Sequence, residues 1–142
     1  MAIAKRPARS VAVDTGALLA LASSRDQYHT RALTIAERLA ADSVRLVGHA
    51  LILGELHGHL LRRADPATAR RSVQSLLHDG AFQWVEAGSE LLNRAVSGWI
   101  ERFADQRFSL TDAVTFEIMR EAKITHAFAF DHDFKTAGFE LL

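Results

Sequence analysis

Short apolar segments alternate with longer helix-like segments along the chain, and this alternation constrains the fold more than any other feature. The strand-like segments are Val11–Val13, Val44–Val47, Phe82–Val85, Ala127–Phe130 and, as a candidate fifth strand, Phe139–Leu142. Short apolar runs of this kind are typical of strands that are covered on both faces. Because parallel neighbours need long crossover connections, the pattern predicts an α/β fold: helices on both faces of a central parallel sheet of four to five strands.

Six further segments have the composition or the spacing of apolar residues that is typical of helices. They are Gly16–Leu21, Tyr28–Ala41, Leu51–Arg63, Ala67–His78, Glu90–Phe103 and Phe108–Ala122. The third of these helices should end before Asp65, because a proline restricts the residue that precedes it. Pro66 then suits the first position of the fourth helix.

The composition is that of one globular domain. The 142 residues are 49% hydrophobic and 24% charged, which excludes a disordered or fibrous chain. We expect a single domain over residues 1–142, with residues 1–9 as a flexible basic lead-in. The chain has no cysteine, so a disulfide framework, an iron–sulfur site and a thiol nucleophile are excluded. Its apolar stretches are too short to span a bilayer, and we expect a soluble, cytoplasmic protein without a membrane partner.

Two of the predicted strands are followed directly by an aspartate. Asp14 comes after Val11–Val13, and Asp131 comes after Ala127–Phe130. In open parallel sheets, ligands bind outside the carboxyl ends of the strands, and both carboxylates would lie at that edge. An aspartate after a strand also commonly starts a turn or caps the next helix, so each residue taken alone has a purely structural explanation.

Glu55 and Asp112 are candidates of the same kind on predicted helices. Glu55 lies on a partly apolar helical stripe and needs a partner there, which could be a base such as Arg62. Asp112 follows Ser109 at the spacing of a helix capping box, which by itself would explain the residue. Since a helix N-terminus favours negative charge, capping and a catalytic role are compatible for Asp112.

Four acids at strand ends and helix edges indicate a metal site when they are considered together. Carboxylates forced into proximity repel one another unless a divalent cation compensates their charge. Oxygen ligands alone suit hard ions such as Mg²⁺ or Mn²⁺, whose remaining positions bind water and phosphate oxygens. The chemistry predicted from such a site is metal-assisted hydrolysis of a phosphodiester bond.

Four segments in order along the chain resemble the PIN domain family. They are Val13–Leu21, Glu55–Leu56, Phe108–Val114 and Phe130–Phe134, and the likeness covers nearly the whole chain. The sequence is most similar to small bacterial members of the VapC type, the toxins of toxin–antitoxin pairs. The resemblance implies a three-layer α/β/α nuclease fold that binds Mg²⁺ or Mn²⁺ and cleaves RNA as an endoribonuclease.

The resemblance also implies roles for individual residues. Asp14, Glu55 and Asp112 match the three core acids of the family, and Asp131 matches the more variable fourth. Asp133 is the second choice for that fourth acid. Supporting hydroxyls near the metal are implied for Thr15 and Thr111. Family members usually form homodimers, and the toxins are held inactive by an antitoxin protein that covers the active-site groove.

The charge balance limits how this chain could hold RNA. Basic and acidic residues number 17 each, so no strong general affinity for nucleic acid is expected, and binding would fall to local bases. The weak candidates that we single out are Arg62, Arg63 and Lys135. Other available bases are Lys5, Arg6, Arg9, Arg70 and Arg71. The family also often has a serine or threonine near the start of the Glu55 helix, where this chain has Gly48 and His49.

Other functions have less support in the sequence. His57 and His59 are two residues apart on a helix and do not face one another, and no zinc-protease, nucleotide-binding or hydrolase-elbow motif is present. Two alternatives remain: a non-catalytic PIN-like module that binds RNA or protein, and a nuclease for single-stranded or flap DNA. The three core acids argue against the first alternative, and dependence on the 2′-OH would distinguish the second.

Overall fold

The computed structural model describes residues 9–142, which form five strands and seven α-helices. The strands are β1 (Ser10–Val13), β2 (Arg45–His49), β3 (Phe82–Val85), β4 (His126–Phe128) and β5 (Glu140–Leu141). The helices are α1 (Thr15–Ala22), α2 (His29–Ala41), α3 (Ala50–Arg63), α4 (Pro66–His78), α5 (Ser89–Ala95), α6 (Leu110–Ala122) and α7 (Asp133–Thr136). No helix in this part of the chain is long and apolar enough to cross a membrane.

All five strands are parallel and form one sheet in the order β3-β2-β1-β4-β5. The central strand β1 is apolar throughout its buried part, as the sequence predicted for a strand covered on both faces. Val11 and Val13 belong to one buried cluster, whereas Ala12 between them belongs to the other. This alternation shows that the sheet separates two hydrophobic cores.

Each core is closed by its own set of helices. The first lies under α1 to α4 and contains buried residues such as Leu18, Ile35 and Leu56. The second lies under α5, α6 and α7 and includes Phe116 and Phe134. The arrangement confirms the predicted three-layer α/β/α fold with a central parallel sheet.

The strand order places a topological switch beside β1. The chain builds β2 and β3 on one side of β1 and then returns to build β4 and β5 on the other side. Ligands of open α/β sheets bind in the crevice at such a switch, outside the carboxyl ends of the strands. Here those ends are followed by Asp14 after β1 and by the segment 129–133 after β4.

One glycine is required by close packing at this edge. A Cβ atom at Gly48 would lie 2.6 Å from Cζ3 of Trp84 and 3.3 Å from Cγ1 of Val13. The Trp84 ring on the neighbouring strand therefore occupies the space that a side chain would need. A side chain at position 48 would force the Trp84 ring to move.

Two predictions about the last strands need correction. Strand β4 ends at Phe128, so Asp131 does not follow a strand directly and two residues intervene. The reason is that β1 pairs with β4 only as far as Phe128, where the Asp14 N–H donates to the Phe128 carbonyl and the chain turns into α1. The predicted strand from Phe139 is also shorter and spans only Glu140–Leu141.

The helical predictions differ at two places. The helix expected over Glu90–Phe103 is α-helical only to Ala95 and continues as a π-helical segment over Val96–Glu101. The single-turn helix α7 was missed because four residues carry no readable periodicity. Residues 1–8 of the predicted lead-in lie outside the described residues, whereas Arg9 is tied to the sheet by a hydrogen bond from the Arg45 N–H to its carbonyl.

Candidate active site

Asp14 lies at the carboxyl end of β1, immediately before α1. It occupies the N-cap position of that helix, but its side chain makes no capping hydrogen bond. The residue is 8% exposed, and burial raises its pKa to about 7, with the charge of Asp112 as the second cause. The charges of Asp131 and Glu55 raise the pKa further, although less. The capping explanation for Asp14 therefore does not hold, and the four predicted acids act on one another electrostatically.

Asp112 is fixed by the capping box that the sequence predicted. The Asp112 N–H donates to Ser109 Oγ (3.0 Å), and the Ser109 N–H donates to Asp112 Oδ2 (3.2 Å). Burial raises the pKa of Asp112, whereas the Ser109 hydrogen bonds lower it, and the charges of Asp131 and Asp133 raise it again. The box orients the carboxylate toward the other acids while it completes the first turn of α6.

Asp131 and Asp133 approach Asp112 from the loop after β4. One ligand oxygen of each of the three residues lies within 4.8 Å of the others. The Asp133 N–H donates to Asp131 Oδ1 (2.9 Å), which shapes the turn into α7. Desolvation and the neighbouring charge of Asp131 raise the pKa of Asp133. Both candidates for the fourth acid are thus at the site.

Glu55 faces the site from α3, and its surroundings differ from the expectation. The residue is exposed rather than held in an apolar stripe. Its Oε1 accepts a hydrogen bond from the Thr15 hydroxyl (3.3 Å), and no ion pair with Arg62 is formed within residues 9–142. Thr15 follows Asp14 directly, so this bond connects the start of α1 to α3 beside the acids.

His49 is a buried residue of this edge that the sequence analysis named only as a departure from the family pattern, without a role. It ends β2 and is 1% exposed. The Thr115 hydroxyl donates to the Thr111 carbonyl (3.1 Å), so its oxygen accepts from His49 Nε2–H (2.9 Å). Nδ1 is therefore unprotonated, and it has no hydrogen-bond partner in the described part of the chain. Burial lowers the pKa of His49 to about 4, which keeps the ring neutral.

The remaining predicted residues lie on α3, α6 and α7. Thr111 is buried next to Asp112 on α6, and its carbonyl ends the chain of hydrogen bonds from His49. Arg62 and Arg63 are exposed in the last turn of α3, and Lys135 is exposed on α7. One signal in the sequence could have found His49: it lies two residues beyond the predicted strand Val44–Val47, at the edge where ligands bind.

The donor set fits a hard divalent cation. The clustered ligands are carboxylate oxygens, the type that Mg²⁺ and Mn²⁺ prefer, and the nearby histidine does not belong to the cluster. Burial, the largest cause, and the charges of the neighbouring acids raise the pKa of Asp14 to about 7, so a bound cation would favour its ionised form.

Comparison with known proteins agrees with this geometry. The family model described as "PIN domain" matches residues 11–140. The 23S rRNA-specific endonuclease VapC20 of Mycobacterium tuberculosis, found in two strains, is 32% identical over 130 residues. That alignment covers 89% of this chain and 93% of the relative.

Two solved structures extend the comparison. The crystal structure of M. tuberculosis VapC20, described as a sarcin–ricin loop cleaving toxin, superposes with a TM-score of 0.78 at 28% identity over 91% of this chain and 95% of that one. VapBC2 from Rickettsia felis, bound to a DNA fragment from its promoter, gives a TM-score of 0.67 over 94% of this chain and 97% of that one. At 10% identity the second match supports the fold alone.

The family match and the VapC20 matches confirm two predictions: the likeness to the VapC type and the class of activity, an endoribonuclease that depends on a divalent metal. The fold, the carboxylate cluster at the switch point and the similarity over almost the full length agree with one another. The chain belongs to the PIN domain family.

Proposed function

We propose that this protein cleaves 23S ribosomal RNA at a site built by Asp14, Glu55, Asp112 and Asp131. The observation that carries the proposal is the crowding of carboxylates at the sheet edge of a chain that is 32% identical to a 23S rRNA-specific endonuclease. Because VapC20 is a sarcin–ricin loop cleaving toxin, that loop is the segment of the RNA to test first.

We assign the divalent ion, Mg²⁺ or Mn²⁺, to the four acids. Asp133 is the alternative to Asp131 as the fourth ligand. A bound ion would stabilise charge on the attacked phosphate and promote ionisation of the attacking water. Asp112 is held by Ser109, and Glu55 is oriented by the Thr15 hydroxyl, so each of these two carboxylates has its own support. Such support keeps reacting groups in position without reorganisation during the reaction.

Basic side chains at the end of α3 and on α7 would contact the RNA backbone. Arg63, with Arg25 and His59, lines a cavity of about 230 Å³ between the α1–α2 loop and the end of α3. Arg62 lies in the same last turn of α3, and Lys135 lies on α7 beyond Asp133. We assign these bases to phosphates on either side of the cleaved bond, where each contact adds to a salt-dependent affinity.

The biological setting follows from the substrate. An enzyme that cuts ribosomal RNA needs an inhibitor in its own cell, so we propose the toxin role, a cognate antitoxin that covers the acidic groove, and a cytoplasmic location. We also propose a single PIN unit over residues 1–142 that pairs as a homodimer. Sedimentation of the purified protein, alone and with the product of a neighbouring small gene, tests the two associations.

The test of the proposed function is cleavage of intact ribosomes by the purified protein. Ribosomes and extracted total RNA are incubated with Mg²⁺, with Mn²⁺ or with EDTA, and ends are mapped by primer extension. Asp14→Asn is the matched control, because it removes one charge and keeps the shape of the side chain. We expect one cut in 23S rRNA with either metal, and none with EDTA or with the variant.

Other outcomes would contradict the proposal in different ways. Cuts in another RNA would refute the substrate but leave the nuclease site intact. Equal cleavage of a matched DNA oligonucleotide would favour the DNA nuclease, because only RNA carries the 2′-OH. A folded protein that binds Mn²⁺ but cleaves neither ribosomes nor RNA would favour the non-catalytic module.

A further inference from the structure

Two aromatic rings form an exposed stack that continues along the chain into the acidic site. The rings of Tyr28 and Phe130 lie 4.4 Å apart between centroids and are inclined by only 7°. Phe130 directly precedes Asp131, one of the three clustered acids. The stack is therefore one residue from the acids and joins the loop before α2 to the loop after β4.

The position of Tyr28 is fixed from several sides. Its N–H donates to Asp26 Oδ1 (2.8 Å), and its carbonyl accepts from the Ala32 N–H (2.8 Å) in the first turn of α2. The next residue, His29, is hydrogen-bonded through Nδ1 to the Ala20 carbonyl (2.7 Å), which ties the loop to α1. A ring held in this way loses little conformational entropy when a ligand binds.

Exposure distinguishes this stack from the other aromatic contacts. Tyr28 is 37% exposed and is the only aromatic side chain among the exposed large apolar residues of 9–142. In contrast, Trp99 and Phe116, which also contact each other, are buried in the second core. The Arg31 guanidinium lies over the Phe130 ring at 5.8 Å from its centroid, so a positive charge accompanies the stack.

We propose that the exposed Tyr28 ring, backed by Phe130, stacks on an unpaired base next to the cleaved phosphate and so helps to select the cut site. The inference rests on the proposed function and adds a base-binding subsite to it. RNA is read mainly at unpaired bases, which are splayed out and stacked on aromatic or arginine side chains. In this proposal the acids engage the phosphate of one nucleotide, and the stack, joined to Asp131 through Phe130, binds a base that adjoins it.

The competing explanation is structural, because Phe130 also packs against the first core. The substitution Tyr28→Leu separates the two roles, since leucine keeps apolar cover over Phe130 but offers no flat ring. Tyr28→Phe keeps the ring and removes only the hydroxyl. Leu77→Ala is the matched control: Leu77 is 52% exposed on α4, and its loss removes exposed apolar surface away from the stack.

The kinetic test uses an RNA hairpin that carries the cut site mapped on ribosomes. We expect Tyr28→Leu to raise KM about 5- to 100-fold, the range for losing one stacked base, with little change in kcat. A contact that stabilises the bound RNA and the transition state equally affects KM alone. Partial unfolding would instead lower the apparent kcat at unchanged KM. Tyr28→Phe should recover most of the lost affinity, and Leu77→Ala should match the wild type.

The stacked nucleotide can be identified with abasic substitutions. Each position of the hairpin is replaced in turn by an abasic unit, and kcat/KM is measured for the wild type and Tyr28→Leu. We expect one position beside the cut at which the abasic unit lowers kcat/KM for the wild type but not for the variant. Such non-additivity is the signature of a direct contact between two groups.

A spectroscopic test is available because Tyr28 is the only tyrosine of the chain. Protein labelled with 3-fluorotyrosine gives one ¹⁹F resonance, and the Asp112→Asn variant allows RNA to bind without being cut. We expect the resonance to shift with the intact hairpin and to shift much less with the hairpin that is abasic at the identified position.

The outcomes separate this inference from the proposed function. If the wild type cuts the hairpin and Tyr28→Leu does so with unchanged KM, the base-binding subsite is refuted and the nuclease assignment stands. If a lower kcat at unchanged KM is accompanied by a lower melting temperature, the stack is structural only. If the wild type cuts neither ribosomes nor the hairpin, the proposed function fails first and this inference fails with it.

Discussion

Two buried carboxylates in this molecule have opposite surroundings. Glu117, on α6 in the second core, is 2% exposed, and Asp14, at the sheet edge, is 8% exposed. Hydrogen bonds from Arg120, the largest cause, lower the pKa of Glu117, whereas burial raises the pKa of Asp14 to about 7. Burial alone therefore does not decide the charge state of a carboxylate, because its neighbours do.

Around Glu117 the hydrogen-bond partners are donors. The Trp99 indole N–H donates to Oε2 (2.9 Å), and the Arg120 guanidinium donates to both carboxylate oxygens. Gly98 lies close by, since a Cβ atom there would be 3.6 Å from Oε2. The π-helical turn that contains Gly98 and Trp99 thus meets a carboxylate whose hydrogen-bonding capacity is satisfied, as expected of a structural group.

Around Asp14 the nearby charges are those of other acids. Asp112, Asp131 and Glu55 all raise its pKa, and only the Thr15 N–H lowers it. Such crowding costs stability and persists in proteins mainly where it serves function. Glu117 thus holds α6 to the π-helical segment, whereas Asp14 is surrounded by acids, as the proposed metal site requires.

The largest effect is expected on cleavage. Asp14→Asn and Asp112→Asn should each reduce RNA cleavage to the level seen with EDTA while the protein stays folded, because these acids serve the metal rather than the core. Glu117→Gln should retain wild-type activity per folded molecule. Activity is measured by single-turnover cleavage, with circular dichroism as the check on folding. Unchanged turnover in both aspartate variants would refute the site assignment.

The next effect is expected on the free energy of unfolding, when Glu117 in the second core is substituted. Glu117→Ala leaves the buried Trp99 N–H without its acceptor and should lower the free energy of unfolding by about 3 kcal/mol. Glu117→Gln should cost about 1 kcal/mol, because an amide oxygen still accepts from Trp99. Urea denaturation measures both values. Equal losses for the two variants would mean that the Trp99 hydrogen bond does not contribute.

The pH dependence of stability should reveal the lowered pKa of His49. The folded pKa of about 4 lies below the unfolded value of 6.5, so the unfolded chain takes up the proton first as the pH falls. Between pH 7 and pH 5 the wild type should lose about 2 kcal/mol relative to His49→Gln. Taking the difference between the two proteins cancels the contribution of Asp14. Parallel curves would contradict a buried neutral ring.

The smallest effect should distinguish the two candidates for the fourth acid. Asp131→Asn is expected to lower kcat by about tenfold, which is less than the loss for Asp14→Asn. The reason is that Asp131 is exposed and Asp133 lies close enough to take its place. Asp133→Asn should cost less than Asp131→Asn. Both variants are compared in Mg²⁺ and in Mn²⁺. A larger loss for Asp133→Asn would identify Asp133 as the fourth acid.

Much of the fold could be predicted because its signals are local. The apolar run Val11–Val13 predicts a strand covered on both faces, and the Ser109–Asp112 spacing predicts the capping box that the structure contains. The π-helical turn could not be predicted, because it depends on contacts between Trp99 and Glu117 across two helices. The short helix α7 spans only four residues, too few for a readable periodicity, and the Asp133 N–H at its start donates to the Asp131 side chain.

The candidate site was predictable only in part. Its acids could be found from strand ends and from the family resemblance, since each has a local position that sequence reasoning can use. His49 and Thr115 are 66 positions apart, and the stack of Tyr28 on Phe130 joins residues still more distant in the chain. Contacts of this kind form only when the sheet edge is assembled, so no local sequence pattern predicts them.

The most direct measurement of the central claim is the thermal unfolding of wild type and Asp14→Asn at pH 8, in EDTA and in Mn²⁺. A folded pKa of about 7 against 3.8 in the unfolded chain means that stability is lost as the pH rises from 3.8 through 7, so the loss is nearly complete at pH 8. We predict that Asp14→Asn is the more stable protein in EDTA, by up to about 4 kcal/mol, and that Mn²⁺ stabilises the wild type far more than the variant. A wild type that is more stable in EDTA, or an equal response of both proteins to Mn²⁺, would contradict a site whose repelling acids exist to bind a metal.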